Sequence, residues 1–139
     1  MLNDYYYGRN DAETEKECGS HLKIQSNKSV DKLEAMGFTK AEMVALVSIE
    51  TFDLPGSGHS RLDNCYYKSI LSGGDGPFKK YLLDGGELQE VVQEFADDNS
   101  AYHKTFKQSF NKLVLLGHDV EKLTDIDEFM HDDPNFKLA

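Results

Sequence analysis

Two carboxylates stand out as groups that could do chemistry. Glu50 closes an otherwise apolar stretch, and Asp84 follows a leucine pair. Brought together they would form an acid/base dyad, or, as like charges in one region, raise the pKa of one unless they share a proton or meet a cation. Their separation in sequence is not a motif spacing. The chain carries five histidines, His21, His59, His103, His118 and His131, and no two have the i, i+4 or clustered spacing of a zinc site. His59 sits among Gly and Ser in an exposed loop; His103 falls on the polar side of a long helix. Cys18 and Cys65 allow one disulfide or two free thiols, and neither belongs to a CxxC pair. The run Ser72-Gly73-Gly74-Asp75-Gly76 lacks the Lys-Ser/Thr of a phosphate-binding loop and reads as a turn. Asp125, Asp127 and Glu128 lack the glycine and terminal glutamate of a calcium loop.

The elements that must position these groups are helical. Val30, Leu33 and Met36 recur at helical spacing before Gly37, and Thr39 with Glu42 makes a capping box ahead of Met43, Val44 and Val47. Ala45, Leu46 and Ile49 widen that stripe into a buried helix reaching Thr51 and Phe52, stopped by Leu54-Pro55-Gly56. Asp63 caps a short helix over Asn64 to Leu71. Leu88, Val91, Val92 and Phe95 mark another over about Glu87 to Ala96. The longest helix starts at Asn99 or Ser100, with Tyr102, Phe106, Phe110 and Leu113 on one side, and runs to Gly117. A last short helix is expected over 124–130, and no strand is expected. The fold class is therefore all-α with about five or six helices. Residues 1–28 read as an irregular arm, 29–131 as the helical domain and 132–139 as a tail. Tyr5-Tyr6-Tyr7 on the arm favours packing against the domain or a partner.

At 139 residues the chain has one domain's length, and its mean hydropathy of −0.57 suits a generous polar surface. A net charge of −10 argues against nucleic acid as a partner. No run approaches the roughly 20 apolar residues of a membrane span, and the start lacks the basic and apolar regions of a signal peptide. Asp97-Asp98 and Asp132-Asp133 read as solvated helix ends that could also face a basic partner.

Several blocks, in order, resemble the proximal half of a plant-type haem peroxidase, closest to the ascorbate- and cytochrome-c-peroxidase class. Gly8-Arg9-Asn10-Asp11 resembles the segment opening that half, and Gly37 to Thr51 resembles the proximal helix, V-A-L-S-G-x-H-T in the family. Leu62-Asp63-Asn64-Cys65-Tyr66-Tyr67 is similar to F-D-N-x-Y-F/Y, and Leu82-Leu83-Asp84 to L-x-S-D. Phe95-Ala96-Asp97 and Lys112 to Gly117 resemble the closing helices, so the likeness covers about residues 8 to 117. In that register Glu50 replaces the iron-binding histidine, Thr51 is kept, and Asp84 takes the place of the carboxylate that hydrogen-bonds the proximal imidazole. The distal half has no counterpart here, the loop between Glu50 and Leu62 is shorter than the family's, and the chain has no tryptophan.

A peroxidase anchors iron through a neutral imidazole backed by a carboxylate. The resemblance therefore implies degenerate haem-site positions at Glu50, Thr51 and Asp84, with no catalytic residue, cofactor or metal. It implies a non-catalytic module serving as an accessory subunit of a larger protein complex, not itself transmembrane. The class to which the likeness points makes an organellar membrane complex of chloroplast or mitochondrion the expected host. The apolar face for docking is expected on helices 41–51 and 100–116. The alternative is a haem-dependent peroxidase or haem-binding protein whose distal half lies on another chain, with Glu50 as a carboxylate ligand. A free acidic helical domain with coincidental motifs is the third reading.

Overall fold

The computed structural model describes residues 6–7, 13–14, 27–51 and 62–125. Among them the fold is all-α. The helices are α1 (Asn27–Ala35), α2 (Lys40–Val47), α3 (Cys65–Leu71), α4 (Lys79–Leu82), α5 (Glu87–Asp97) and α6 (Asn99–Leu115). Short 3-10 turns occupy Ser48–Thr51 and Val120–Lys122. The chain divides into two compact units, Leu22–Phe110 and a second made of Met1–His21 with Asn111–Ala139.

In the larger unit, several helix boundaries have a local cause. At the end of α1, Phe38 N–H donates to the Leu33 carbonyl (3.0 Å) and Gly37 N–H to that of Glu34 (2.9 Å). This double closure requires a left-handed residue at its centre, and Gly37 supplies it with φ +87°. The accompanying apolar contact is present too, since Leu33 and Phe38 are both buried. Two residues on, the expected capping box forms: Thr39 Oγ1 accepts from Glu42 N–H (3.2 Å), and the Glu42 carboxylate accepts from Thr39 N–H (2.8 Å). Asp98 performs the same service for α6 by accepting from Ser100 and Ala101 N–H.

α2 lies at the centre. Five consecutive residues, Met43 to Val47, are buried, which an amphipathic surface helix cannot achieve. α1 packs against α2, and α5 packs against both α2 and α3. Between them Tyr67, Phe95 and Tyr102 meet edge to face, with ring centroids 5.3–5.7 Å apart. The four-residue α4 is an addition to the sequence reading. Too short to show a period, it follows Phe78, whose φ of 61° is left-handed.

In the smaller unit the sequence expectation fails at one point. Instead of opening a helix, Thr124 and Asp125 form β2, which pairs antiparallel with β1 (Tyr6–Tyr7), Tyr6 opposite Asp125 and Tyr7 opposite Thr124. A helix of under eight residues is marginal in isolation, and tyrosine and threonine suit a strand pair. The rest of that expected helix, 126–130, lies outside the described residues, as do Phe52 and the stop signal at 54–56.

Candidate functional site

Glu50 sits where the apolar helix changes character. The sequence pattern predicts one continuous α-helix through Thr51, but α2 stops at Val47 and the backbone tightens into a 3-10 turn over Ser48–Thr51. Hydroxyls bonding back to the preceding turn accompany the change. Ser48 Oγ donates to the Ala45 carbonyl (2.7 Å) and Thr51 Oγ1 to the Ser48 carbonyl (2.6 Å). Ser48 N–H turns to the Ala45 carbonyl instead of the α-helical acceptor at Val44.

That leaves a buried carbonyl at Val44 without its helical amide, and another element supplies the donor. Tyr67, on α3 and fully buried, directs its hydroxyl to Val44 O at 2.7 Å, with Ala45 O further off at 3.5 Å. From α6, the Tyr102 hydroxyl meets Ser48 Oγ at 2.8 Å. Burial raises the Tyr67 pKa well above its ordinary value, with neighbouring Tyr102 adding to the rise and Ser48 opposing it. Burial likewise pushes Tyr102 up to about 12. Both phenols therefore hold their protons at neutral pH, so they pin the end of α2 as neutral hydrogen-bonding groups and not as bases.

Of the three positions that the sequence resemblance singles out, Thr51 is buried with its hydroxyl on the Ser48 carbonyl, Glu50 is half-buried, and Asp84 is exposed in the bend before α5. No hydrogen bond or ion pair among the described residues joins Glu50 to Asp84. The face expected on helix 41–51 for docking needs correction. Met43 to Val47 are at most 2% exposed, because the chain's own α1, α3, α5 and α6 supply enough side chains to cover α2. The large apolar residues that stay exposed among those described are Met36, after α1, and Val114, Leu116 and Val120, at the end of α6 and beyond it.

Asn64 does more than the sequence reading expected of it. Its side chain makes no cap for α3; Asp63 does that work by accepting from Cys65 N–H (2.9 Å). The buried Asn64 amide instead donates to two carbonyls ending α5, Phe95 O at 2.9 Å and Ala96 O at 3.0 Å. Its own N–H donates to Asn99 Oδ1 at 3.0 Å. The start of α3, the end of α5 and the start of α6 are thus fastened by one residue, its side chain holding α5 and its backbone N–H holding α6. Only the Asp-Asn pair in the tyrosine-bearing block hinted at it.

His103, expected on the polar side of its helix, has a backbone partner. Its Nε2 lies 2.6 Å from Leu62 O, and because a carbonyl only accepts, that nitrogen carries the proton. The ring rests against Tyr102. His118 is exposed, while His21, His59 and His131 lie outside the described residues. Cys65 is an exposed free thiol whose pKa is raised, first by its contact with Asp63 and then by burial. Cys18 falls outside the described residues.

Among the described residues, no three His, Cys, Asp or Glu side chains gather as a metal-holding group, and no helix is long and apolar enough to cross a membrane. No protein family, curated protein or solved structure matches this chain.

Proposed function

We propose that this chain is a non-catalytic helical module derived from the proximal half of a peroxidase, acting as an accessory subunit through contacts with other proteins. One observation carries the reading: the buried polar side chains of the larger unit are engaged with one another and with the backbone. Ser48, Thr51, Asn64 and Ser109 all bond to backbone carbonyls, and Ser48 also meets the Tyr102 hydroxyl. A site built for chemistry keeps polar groups convergent and free for a reacting atom. Here they serve to fix helices.

The exposed residues Val114, Leu116 and Val120 offer the contact surface, being 42%, 39% and 45% exposed within a short stretch of chain. By the resemblance, the host is a membrane-associated complex of a chloroplast or mitochondrion. Purification from the native source in mild detergent tests this. Co-migration with defined subunits at a mass well above 15.7 kDa is expected, and migration alone at that mass refutes the proposal.

The alternative, a haem protein completed by another chain, rests on Glu50 and Thr51 standing in the register of the family's proximal pair. Titration with ferric haem separates the two readings. A saturable Soret band that Glu50→Ala abolishes would establish the alternative; spectra identical for the chain and that variant support the accessory module.

A further inference from the structure

Independently of that reading, one feature of the larger unit has the properties of a small-molecule site. A hollow of about 480 Å³ opens beside α4, lined by Asp75, Gly76, Phe78, Lys79, Lys80 and Tyr81. Its volume falls in the range of ligand pockets.

The wall of the hollow is preformed. A Cβ at Gly76 would lie 2.9 Å from Tyr66 Cε2 and 3.3 Å from Ile70 Cγ2, so this backbone is pressed directly onto α3. The Tyr66 hydroxyl donates to the Pro77 carbonyl, and Lys79 Nζ reaches back to the Gly73 carbonyl at 3.2 Å. Asp75 accepts from the Gly76 N–H at 2.9 Å. These bonds tie the segment from both ends.

Phe78 then adopts φ 61°, ψ 5°, a conformation costly for any residue with a Cβ. Glycine would meet the backbone requirement without that penalty, yet the position carries an aromatic ring, and the residue lines the hollow. Strain of this kind concentrates at ligand clamps.

The charge here runs against the rest of the molecule. On a chain of net charge −10, the hollow is lined by two lysines against one aspartate. The Lys80 ammonium has no hydrogen bond or ion pair among the described residues. Phe78 and Tyr81 add aromatic residues to the lining; the Tyr81 hydroxyl is already directed to Asp31 at 3.3 Å.

We propose that this hollow binds a small aromatic anion, an aryl carboxylate or aryl phosphate, with its ring against Phe78 and Tyr81 and its charge on Lys80 and Lys79. Neither half of such a ligand suffices alone. An unadorned anion meets only Lys80, exposed to water, and Lys79, already bonded to the Gly73 carbonyl, and an uncharged ring leaves the ammonium groups unused.

Amide NMR of the full chain, titrated separately with phenyl phosphate, benzoate, inorganic phosphate and phenol, tests the proposal. Saturable shifts confined to residues 75–81 are expected with phenyl phosphate or benzoate at millimolar concentration, and the tighter of the two identifies the anion. Phosphate and phenol should each need at least about tenfold more. Lys80→Gln should weaken the tighter ligand by about tenfold. Phe78→Gly should abolish binding while leaving the remaining spectrum folded, since glycine accepts the same backbone angles. The proposal is overturned if no probe saturates, if Lys80→Gln binds as the parent does, or if the shifts follow exposed lysines such as Lys32 and Lys104.

Discussion

Removing a single oxygen tests the account of how α2 ends. Tyr67→Phe keeps the ring and its edge-to-face contacts with Phe95 and Tyr102, at 5.5 and 5.3 Å, and deletes only the hydroxyl that donates to Val44 O at 2.7 Å. Because Ser48 N–H has turned to Ala45 O, no helical amide takes its place, and the site is fully buried. The variant therefore loses a hydrogen bond and strands a carbonyl, which costs about 2 kcal/mol. For a chain of this length that lowers Tm by about 5–10 °C. Urea unfolding followed by circular dichroism gives the number directly, with an unchanged m-value as the sign that only stability has moved. Tyr66→Phe is the control. Its hydroxyl bonds the Pro77 carbonyl in a part-buried position where water can substitute, so its cost is expected below about 1 kcal/mol. A Tyr67→Phe variant within about 0.5 kcal/mol of the parent would refute the reasoning, since the Val44 carbonyl would then be satisfied by something else.

Further outcomes follow from other contacts. Asn64→Ala should destabilise by about 2–3 kcal/mol by uncapping Phe95 O and Ala96 O; Asn64→Asp should be worse at neutral pH, where its charge faces two carbonyls, and should partly recover in acid, both read from urea midpoints. Stability should fall as pH rises from 10 towards 12. Unfolded tyrosine releases its proton near its ordinary value of 10.0 while buried Tyr102 holds its own to about 12, so the folded state is the more protonated; a Tyr67→Phe/Tyr102→Phe pair should flatten that slope in urea midpoints measured against pH. At Phe78, glycine should be more stable than alanine by about 1 kcal/mol in thermal melts, because both lose the ring and only alanine keeps the strain.

Most of the helical frame was legible because its signals are local. The capping box at Thr39 and Glu42, the glycine after α1 and the apolar spacing of α5 each depend on neighbours within a turn or two. What was not legible depended on distant partners. Nothing near Ser48 announces a 3-10 turn, because the carbonyl that turn exposes is satisfied by Tyr67 from α3. Asn64 read only as the opening of the helix that Asp63 caps, and its acceptors lie on α5. Thr124 carried acidic residues in the right places for a helix, and a strand partner at the other end of the sequence prevailed. Phe78 gave no warning at all, since no residue preference predicts an aromatic in the left-handed region. The hollow it lines therefore emerges only from the folded backbone.

These distant partnerships also bear on what the interior is for. Apolar packing alone would accept many small rotations of α2 against α3 and α6, because dispersion is non-directional. A phenol aimed at one carbonyl and a serine aimed at another phenol do not tolerate such rotation, since a buried unmade bond costs more than a made one contributes. The polar atoms at the end of α2 thus select one arrangement of three helices, and the Asn64 amide selects the junction of α3, α5 and α6. Fixed packing within the larger unit is the product of that selection. Docking to another protein depends on geometry that is already set before contact, because ordering side chains on binding subtracts from affinity. If the accessory-subunit reading holds, loosening this interior should weaken assembly in proportion to lost stability even though Tyr67 touches no partner. Tyr67→Phe and Val114→Asp then separate the two causes. The first should reduce co-purification only as temperature approaches its lowered Tm; the second should reduce it at every temperature with the melt unchanged. Equal loss in both at low temperature would place Tyr67 in the interface itself and break the division between core and docking surface on which the functional reading stands.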